Sequence, residues 1–143
     1  SRRLGLPFVL REGDATRRDW WDGEPFDSIL IDAPCTGTGT LRRNPDIKVH
    51  RTQDDVVRSQ RKQQALLGNL WHMLASGGTL LYSTCSILPD ENDSVIQCFL
   101  DQTADASTVP IAADWGYATP CGRQRLPAEG GPDGFFYSRI IKL

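Results

Sequence analysis

Apolar residues along the chain fall into short runs closed by glycine, proline or an acid. Phe8-Val9-Leu10 leads into Gly13-Asp14, and Phe26-Asp27-Ser28-Ile29-Leu30-Ile31 ends at Asp32. Short apolar runs bounded by turn residues mark strands buried on both faces, so both runs are expected as parallel strands. Ahead of the first, Ser1 to Leu4 reads as the last turn of a helix stopped at Gly5. Trp20, Trp21, Gly23 and Pro25 are expected as a surface connection between the two strands.

Residues 33–51 are rich in Pro, Gly and Thr and show no apolar period, which predicts a long loop with one short helical turn. Thr52 then offers an N-cap, with Asp54 and Asp55 in the first turn. Val56, Gln60, Gln63, Leu67, Leu70, Trp71 and Leu74 recur at helical spacing, predicting a helix that runs to Gly77-Gly78. A third strand is expected over Thr79–Thr84. A second helix over 90–100 carries Val95, Ile96, Phe99 and Leu100 on one face, where Cys98 is expected as a small buried hydrophobe. Residues 101–132 read as loose chain before a closing strand over Phe135–Ile141. Val109-Pro110-Ile111 is expected as a weak edge strand antiparallel to it, since proline is tolerated only at an edge. Strands alternating with helices predict an α/β fold with a mostly parallel sheet.

The chain has 143 residues, 39% hydrophobic and 24% charged, which is the composition of one soluble globular domain and excludes disorder as a whole-chain reading. The longest apolar stretches fall far short of the roughly 20 residues that a membrane span requires. A net charge of −2 excludes nucleic-acid binding by bulk charge alone. Charge is nonetheless uneven: Arg42, Arg43, Lys48, Arg51, Arg58, Arg61 and Lys62 face only Asp46, Asp54 and Asp55 in the same segment. Such a run is either a solvated helix face or the phosphate-facing side of a cleft. The four cysteines, Cys35, Cys85, Cys98 and Cys121, form no C-x-x-C pair and have only His50 and His72 to help, so no metal site is expected. Reduced thiols in a cytoplasmic protein are the better reading.

Ligands of open α/β sheets bind beyond the carboxyl ends of the strands. Here those positions are Asp14, the stretch from Asp32 to Gly39, and Cys85-Ser86, so two cysteines fall on the functional edge. Gly37-Thr38-Gly39 is no dinucleotide fingerprint, because the third glycine position is Arg42. A thiol hydrolase would require a His-acid pair beside one thiol, and a non-catalytic RNA-binding fragment would require the basic segment but not both thiols.

Four strings occur in order: Asp32-Ala33-Pro34-Cys35-Thr36-Gly37-Thr38-Gly39, then Arg42-Arg43-Asn44-Pro45-Asp46, then Tyr82-Ser83-Thr84-Cys85-Ser86 with Pro89-Asp90-Glu91-Asn92, and Asp133-Gly134-Phe135-Phe136. Together they resemble the signatures of the S-adenosylmethionine-dependent RNA cytosine 5-methyltransferases, and within them the RsmB (Sun/Fmu) group, which modifies 16S ribosomal RNA. The resemblance implies a Rossmann-like methyltransferase sheet of strand order 3-2-1-4-5-7-6, present from its third strand onward, with a C-terminal antiparallel strand. It implies that Cys85 is the nucleophile that adds to carbon 6 of cytosine and that Cys35 assists release. DNA cytosine methyltransferases take their nucleophile from a Pro-Cys motif, which leaves Cys35 as the alternative attacker.

The same resemblance assigns Asp14 to the adenine amino group of S-adenosylmethionine and Asp32 to its methionine end and the target base. Pro34, having no amide proton, is expected to offer its carbonyl to the exocyclic amine of cytosine. Arg42, Arg43 and Lys48, directly after the Pro-Cys loop, are expected to grip phosphates. The target must be unstacked for a thiol to reach it, so the expected partner is a single-stranded or loop cytosine of ribosomal RNA. No Gly-rich cofactor loop precedes Asp14. Residues 1–143 are therefore expected to form the carboxyl-terminal portion of a catalytic domain, inactive alone. Its unpaired edge is expected to close by pairing the Phe8 and Ile29 strands or by a second copy of the chain.

Overall fold

The computed structural model describes residues 9–143; the helical turn expected before Gly5, and Phe8 itself, lie outside the described residues. The sheet comprises β1 (Phe26–Asp32), β2 (Leu74–Thr84), β3 (Ala106–Val109), β4 (Tyr117–Ala118), β5 (Arg123–Arg125) and β6 (Phe135–Lys142). Helices are α1 (Ile47–His50), α2 (Gln53–Trp71) and α3 (Asp93–Asp101). β1 and β2 run parallel, with Ile29 opposite Leu80 and Ile31 opposite Tyr82. A parallel pair needs a long crossover, and α2 supplies it.

β6 lies antiparallel on the other edge of β2. Its far edge takes β3 at the Arg139–Lys142 end and β5 at the Phe135–Tyr137 end, and β4 pairs with β5. This is the mixed α/β class expected, and β1-β2-β6-β3 follows the 4-5-7-6 half of the order that the resemblance implies. The β4–β5 hairpin, read from sequence as loose chain, zips onto β6 and enlarges the antiparallel part. Among the described residues the parallel part is the β1–β2 pair.

The core follows the period of two along the strands. Ile31, Leu80, Tyr82, Phe136 and Ile140 are buried against Leu67, Leu70 and Trp71 of α2 and Val95, Ile96 and Phe99 of α3, while Leu30 in β1 points away and is 67% exposed. Trp71 and Phe99 meet edge to face at 5.2 Å, which ties the two helices together.

Four local expectations are corrected. Val9 and Leu10 are exposed and lie in no strand, so residues 9–13 do not pair with β1. No described strand lies along the outer edge of β1 to build a ladder on. Trp20 and Trp21 are not simple surface residues: they pack partly on the core, and their indole N–H groups donate to the carbonyls of Asp14 and Glu24. Cys98 is exposed and accepts a hydrogen bond from Gln102, while Cys121 takes the buried position.

The fourth correction concerns the long helix, which stops at Trp71 rather than running to Gly77. The ammonium of Lys142 donates to the carbonyls of Trp71 and Leu74 at 2.9 and 3.0 Å, and Phe26 N–H donates to the Met73 carbonyl. These bonds take the orphan carbonyls of the last turn and convert the chain to strand, while residues 75–78 loop out with Gly77 at φ 76°. At its start, α2 has a capping box: Asp55 N–H donates to the Thr52 hydroxyl oxygen, and Thr52 N–H donates to the Asp55 carboxylate. Thr52→Ala is expected to lower stability by about 1 kcal/mol, read as a shift of the urea midpoint at unchanged slope.

Candidate active site

The carboxyl ends of β1 and β2 run directly into the two cysteine loops. Ala33 N–H donates to the Ser83 carbonyl at 2.8 Å, which extends the parallel ladder one residue beyond β1 and fixes the start of the Pro34-Cys35 loop. Farther on, Gly39 N–H donates to the Cys85 carbonyl and Gly134 N–H donates to the Gly39 carbonyl, both at 2.9 Å. Three loops are thus stitched backbone to backbone. A Cβ on Gly39 would overlap the carbonyl oxygen of Gly134, so glycine there is a matter of space.

The stitch brings Cys35 Sγ and Cys85 Sγ to 3.3 Å, both free and partly buried. Two thiols at this distance share a proton, and the second ionisation is opposed by the first. The hydrogen bond donated by Cys35 pulls the Cys85 thiol down to about 7 against opposing burial. Cys35 is pushed up, first by that same hydrogen bond and then by burial. The more enclosed sulfur keeps the proton and the more open one carries the charge.

Beneath the sulfurs lies a buried polar frame that sequence reasoning missed. Glu91, fully buried, accepts Thr36 N–H at 2.8 Å and the Thr36 hydroxyl at 2.6 Å. Asn92 accepts from the Thr84 hydroxyl at 2.6 Å, and its amide donates to the Ser86 carbonyl and the Gln124 side-chain oxygen. Gln63, reaching in from α2, donates to the Pro34 carbonyl at 2.9 Å. The signal was present, since Glu91 and Asn92 belong to the Pro-Asp-Glu-Asn string. Acids ahead of a helix ordinarily read as solvent-facing caps, however, and only tertiary packing turns these two inward.

The other expected residues are placed unevenly. Asp32 is exposed at the end of β1, near enough that its charge opposes ionisation of Cys85. Asp14 sits apart on a turn that Asn69 of α2 pins through the Ala15 and Arg17 carbonyls. Its Oδ1 accepts the amide and hydroxyl of Thr16, in that order of effect, which holds the carboxyl below its ordinary value; Oδ2 has no partner among the described hydrogen bonds. Pro34 O is occupied by Gln63 but retains a second lone pair.

Arg42 donates to the Gly131 carbonyl, and Arg43 pairs with the buried carboxylate of Asp133, so both first act as straps across the loop before β6. Lys48 is exposed and lines, with Arg51, a groove of about 290 Å³ floored by Leu41, Ile47 and Val56 beside Thr36. His50 and His72 are exposed, and no described hydrogen bond joins either to a cysteine, which removes the base that a thiol hydrolase needs. Among the described residues no cluster of three His, Cys, Asp or Glu could hold a metal, and no helix is long and apolar enough to cross a membrane.

A methyltransferase-type sheet with a close cysteine pair at its carboxyl edge is the class that these features define. The sequence model of the 16S rRNA methyltransferase RsmB/F family matches residues 1–141, and the chain belongs to that family. It is 51% identical over 142 residues to ribosomal RNA small subunit methyltransferase B of Pseudomonas putida, covering 99% of this chain and 33% of the relative. The counterpart in Xanthomonas campestris pv. campestris is 50% identical over 123 residues, covering 86% of this chain and 28% of the relative. The chain spans about a third of the length of these curated relatives.

Among solved structures, a methyltransferase homolog protein from Pyrococcus horikoshii superposes with a TM-score of 0.81 at 35% identity, over 99% of this chain and 47% of that one. NSun6 from the same organism, solved with SFG, gives a TM-score of 0.85 at 26% identity, over 99% and 36%.

The shared proton makes a testable pH dependence. Alkylation of Cys85 by iodoacetamide is expected to rise with pH around a midpoint near 7, because only the thiolate reacts. Cys35→Ala removes the donor that stabilises this thiolate, so the midpoint moves up toward about 8.5 and the rate at pH 7 falls on the order of tenfold. Site-resolved mass spectrometry across a pH series reads both. Gly39→Ala is expected to cost about 1–3 kcal/mol in a denaturant titration, by forcing the stitched loops apart.

Proposed function

We propose that residues 1–143 are the carboxyl-terminal portion of the catalytic domain of a cytoplasmic S-adenosylmethionine-dependent rRNA cytosine 5-methyltransferase, acting on a single-stranded or loop cytosine of 16S ribosomal RNA. The observation that carries this reading is the pair of sulfurs at 3.3 Å, one poised as thiolate and one as thiol, on the loops where a flipped base would enter. The names of the RsmB relatives support the substrate class, and the SFG in the NSun6 structure, an S-adenosylmethionine analogue, supports the cofactor.

Carbon 5 of cytosine is too poor a nucleophile to accept a methyl group unaided. Addition of the Cys85 thiolate to carbon 6 makes carbon 5 enamine-like, which is nucleophilic catalysis applied to a ring. S-adenosylmethionine supplies the methyl group. Removal of the carbon 5 proton then lets the electron pair re-form the ring double bond and expel Cys85 as thiolate. Cys35 assists that release: once Cys85 is bound to carbon, its negative charge is gone, and the strongest restraint on ionisation of Cys35 goes with it.

Asp14 and Asp32 fit the cofactor by their chemistry. Asp14 Oδ2 has no partner among the described hydrogen bonds, Asp32 is exposed at the end of β1, and the adenine amino group and the methionine ammonium both donate. Pro34 O, with one lone pair left, faces the exocyclic amine of the base. Lys48 beside the groove is the basic residue best freed for a phosphate, while Arg42 and Arg43 contribute the donors that their straps leave over. The rest of the cofactor cradle belongs to the longer protein, so the isolated chain is inactive, and the open edge of β1 is where a second copy would pair with it.

The test is adduct formation by the full-length protein with RNA and S-adenosylmethionine. Cys85→Ala is expected to give no covalent RNA adduct on a denaturing gel, and Cys35→Ala to accumulate one. The opposite pattern would make Cys35 the attacker and overturn the assignment.

A further inference from the structure

Glu91 is a carboxylate with no cation on it, fully buried in a protein whose other acids are mostly exposed. Both of its oxygens accept hydrogen bonds, one from Thr36 N–H and one from the Thr36 hydroxyl, which is the pattern of the ionised form. Hydrogen bonds to a charged acceptor are worth about 1.5–3 kcal/mol each, enough to hold a charge that burial opposes. Tyr82 fixes the same residue from β2, its hydroxyl donating to the Glu91 carbonyl at 2.8 Å. The carboxylate therefore has one address, and that address is the peptide unit next to Cys35.

We infer that Glu91 is a positioning residue of the cysteine pair: its buried charge, clamped to Thr36, keeps the shared proton on Cys35 and so leaves Cys85 as the thiolate. The inference rests on the reading of Cys85 as nucleophile and adds the group that selects it. Burial alone would also favour a neutral Cys35, but burial cannot fix the loop, whereas the Thr36 clamp fixes the loop and the field together.

The other titratable groups around the pair are few. Tyr82 stays protonated, raised by burial and then by the charges of Cys35 and Glu91. Arg51 donates to the Thr36 carbonyl at 3.1 Å, on the opposite side of that residue from its amide. Asp32 lies on the Cys85 side, and Asp90 and Lys48 are exposed at the rim. Only Glu91 puts a buried negative charge against the Cys35 loop.

The experiment is competitive alkylation of the chain at pH 7.5 by limiting iodoacetamide, with the label on each cysteine counted by mass spectrometry. It needs neither RNA nor a methyl donor, so its failure would leave the methyltransferase reading standing, and loss of the adduct pattern would leave this result intact. In the unaltered chain the Cys85 label is expected to exceed the Cys35 label at least tenfold. Glu91→Gln, which can keep both contacts with Thr36 but not the charge, is expected to narrow that ratio at least fivefold. Glu91→Asp is expected to restore it to within twofold of the unaltered chain.

A purely structural role would lower the melting temperature of both variants without moving the ratio. An unchanged ratio in a cooperatively folded Glu91→Gln protein overturns the inference. Should Glu91→Gln fail to fold, Cys85→Ser decides: with its partner thiolate gone, Cys35 is expected to titrate above the ordinary thiol value of about 8.5. A midpoint at or below that value overturns the inference equally.

Discussion

Two sulfurs on separate loops can share a proton only if the loops are held to within a fraction of an ångström, and here backbone hydrogen bonds do the holding. Gly39 sits at the crossing: its N–H takes the Cys85 carbonyl, and its own carbonyl takes Gly134 N–H. Because no side chain intervenes, the loop after β1, the loop after β2 and the loop before β6 approach as closely as strands in a sheet. A parallel pair of strands already aims its carboxyl ends the same way, so the stitch only has to close the last turn of each loop. Distance fixed by backbone is less sensitive to side-chain motion than distance fixed by rotamers, which suits a pair that must exchange a proton.

The chemistry of the pair follows from ordering its charges. Two adjacent thiols do not both ionise near neutral pH, and the second waits until the first charge is gone. That is the sequence of events a covalent mechanism needs. A thiolate is present at the start, it is consumed by bond formation, and only then does its neighbour become able to give up or relay a proton. No change of shape is required, because formation of the carbon–sulfur bond itself removes the charge that had kept Cys35 neutral. The buried frame of Glu91, Asn92, Gln63 and Gln124 keeps the loops in place while that charge disappears. A site held only by the attraction between thiol and thiolate would slacken at the moment of bond formation.

Much of this was legible in the sequence, and the failures have physical causes. Runs of apolar residues located β1, the core of β2 and β6, and the strings around Cys35 and Cys85 located the site and its family. Periodicity overran the end of α2 because Leu74 keeps the helical phase, while the signal that ends the helix is Lys142, 71 residues from Trp71 along the chain. Cys98 and Cys121 exchanged their expected environments for a related reason. The α3 face was read from position 90, but the turn at Pro89–Glu91 is spent on pointing Glu91 and Asn92 inward, and the helix proper begins at Asp93. Val9 and Leu10 carry a strand pattern with nothing described to pair with, and pattern without a ladder makes no strand. Buried polar residues are the hardest to foresee, because their composition is that of surface.

The basic segment shows how one residue type can satisfy two constraints. A guanidinium has five N–H donors, and a carbonyl or one carboxylate oxygen uses one or two of them. Arg42 and Arg43 therefore tie down the loop carrying Gly131 and Asp133 while most of their donors still face solvent, and the Arg43 side chain remains 66% exposed. Lysine in either place would have to choose, since a single ammonium drawn onto Asp133 is a poor second ligand for a phosphate. The strap also determines where the outward donors point, because Asp133 is buried beside Gly134 and Gly134 is bonded to Gly39. Charge that would otherwise wander on long side chains is thereby referenced to the same backbone crossing that sets the sulfur distance. A negatively charged strand lying along Arg43, Arg42 and Lys48 would be positioned relative to Cys85 by that crossing rather than by surface attraction alone.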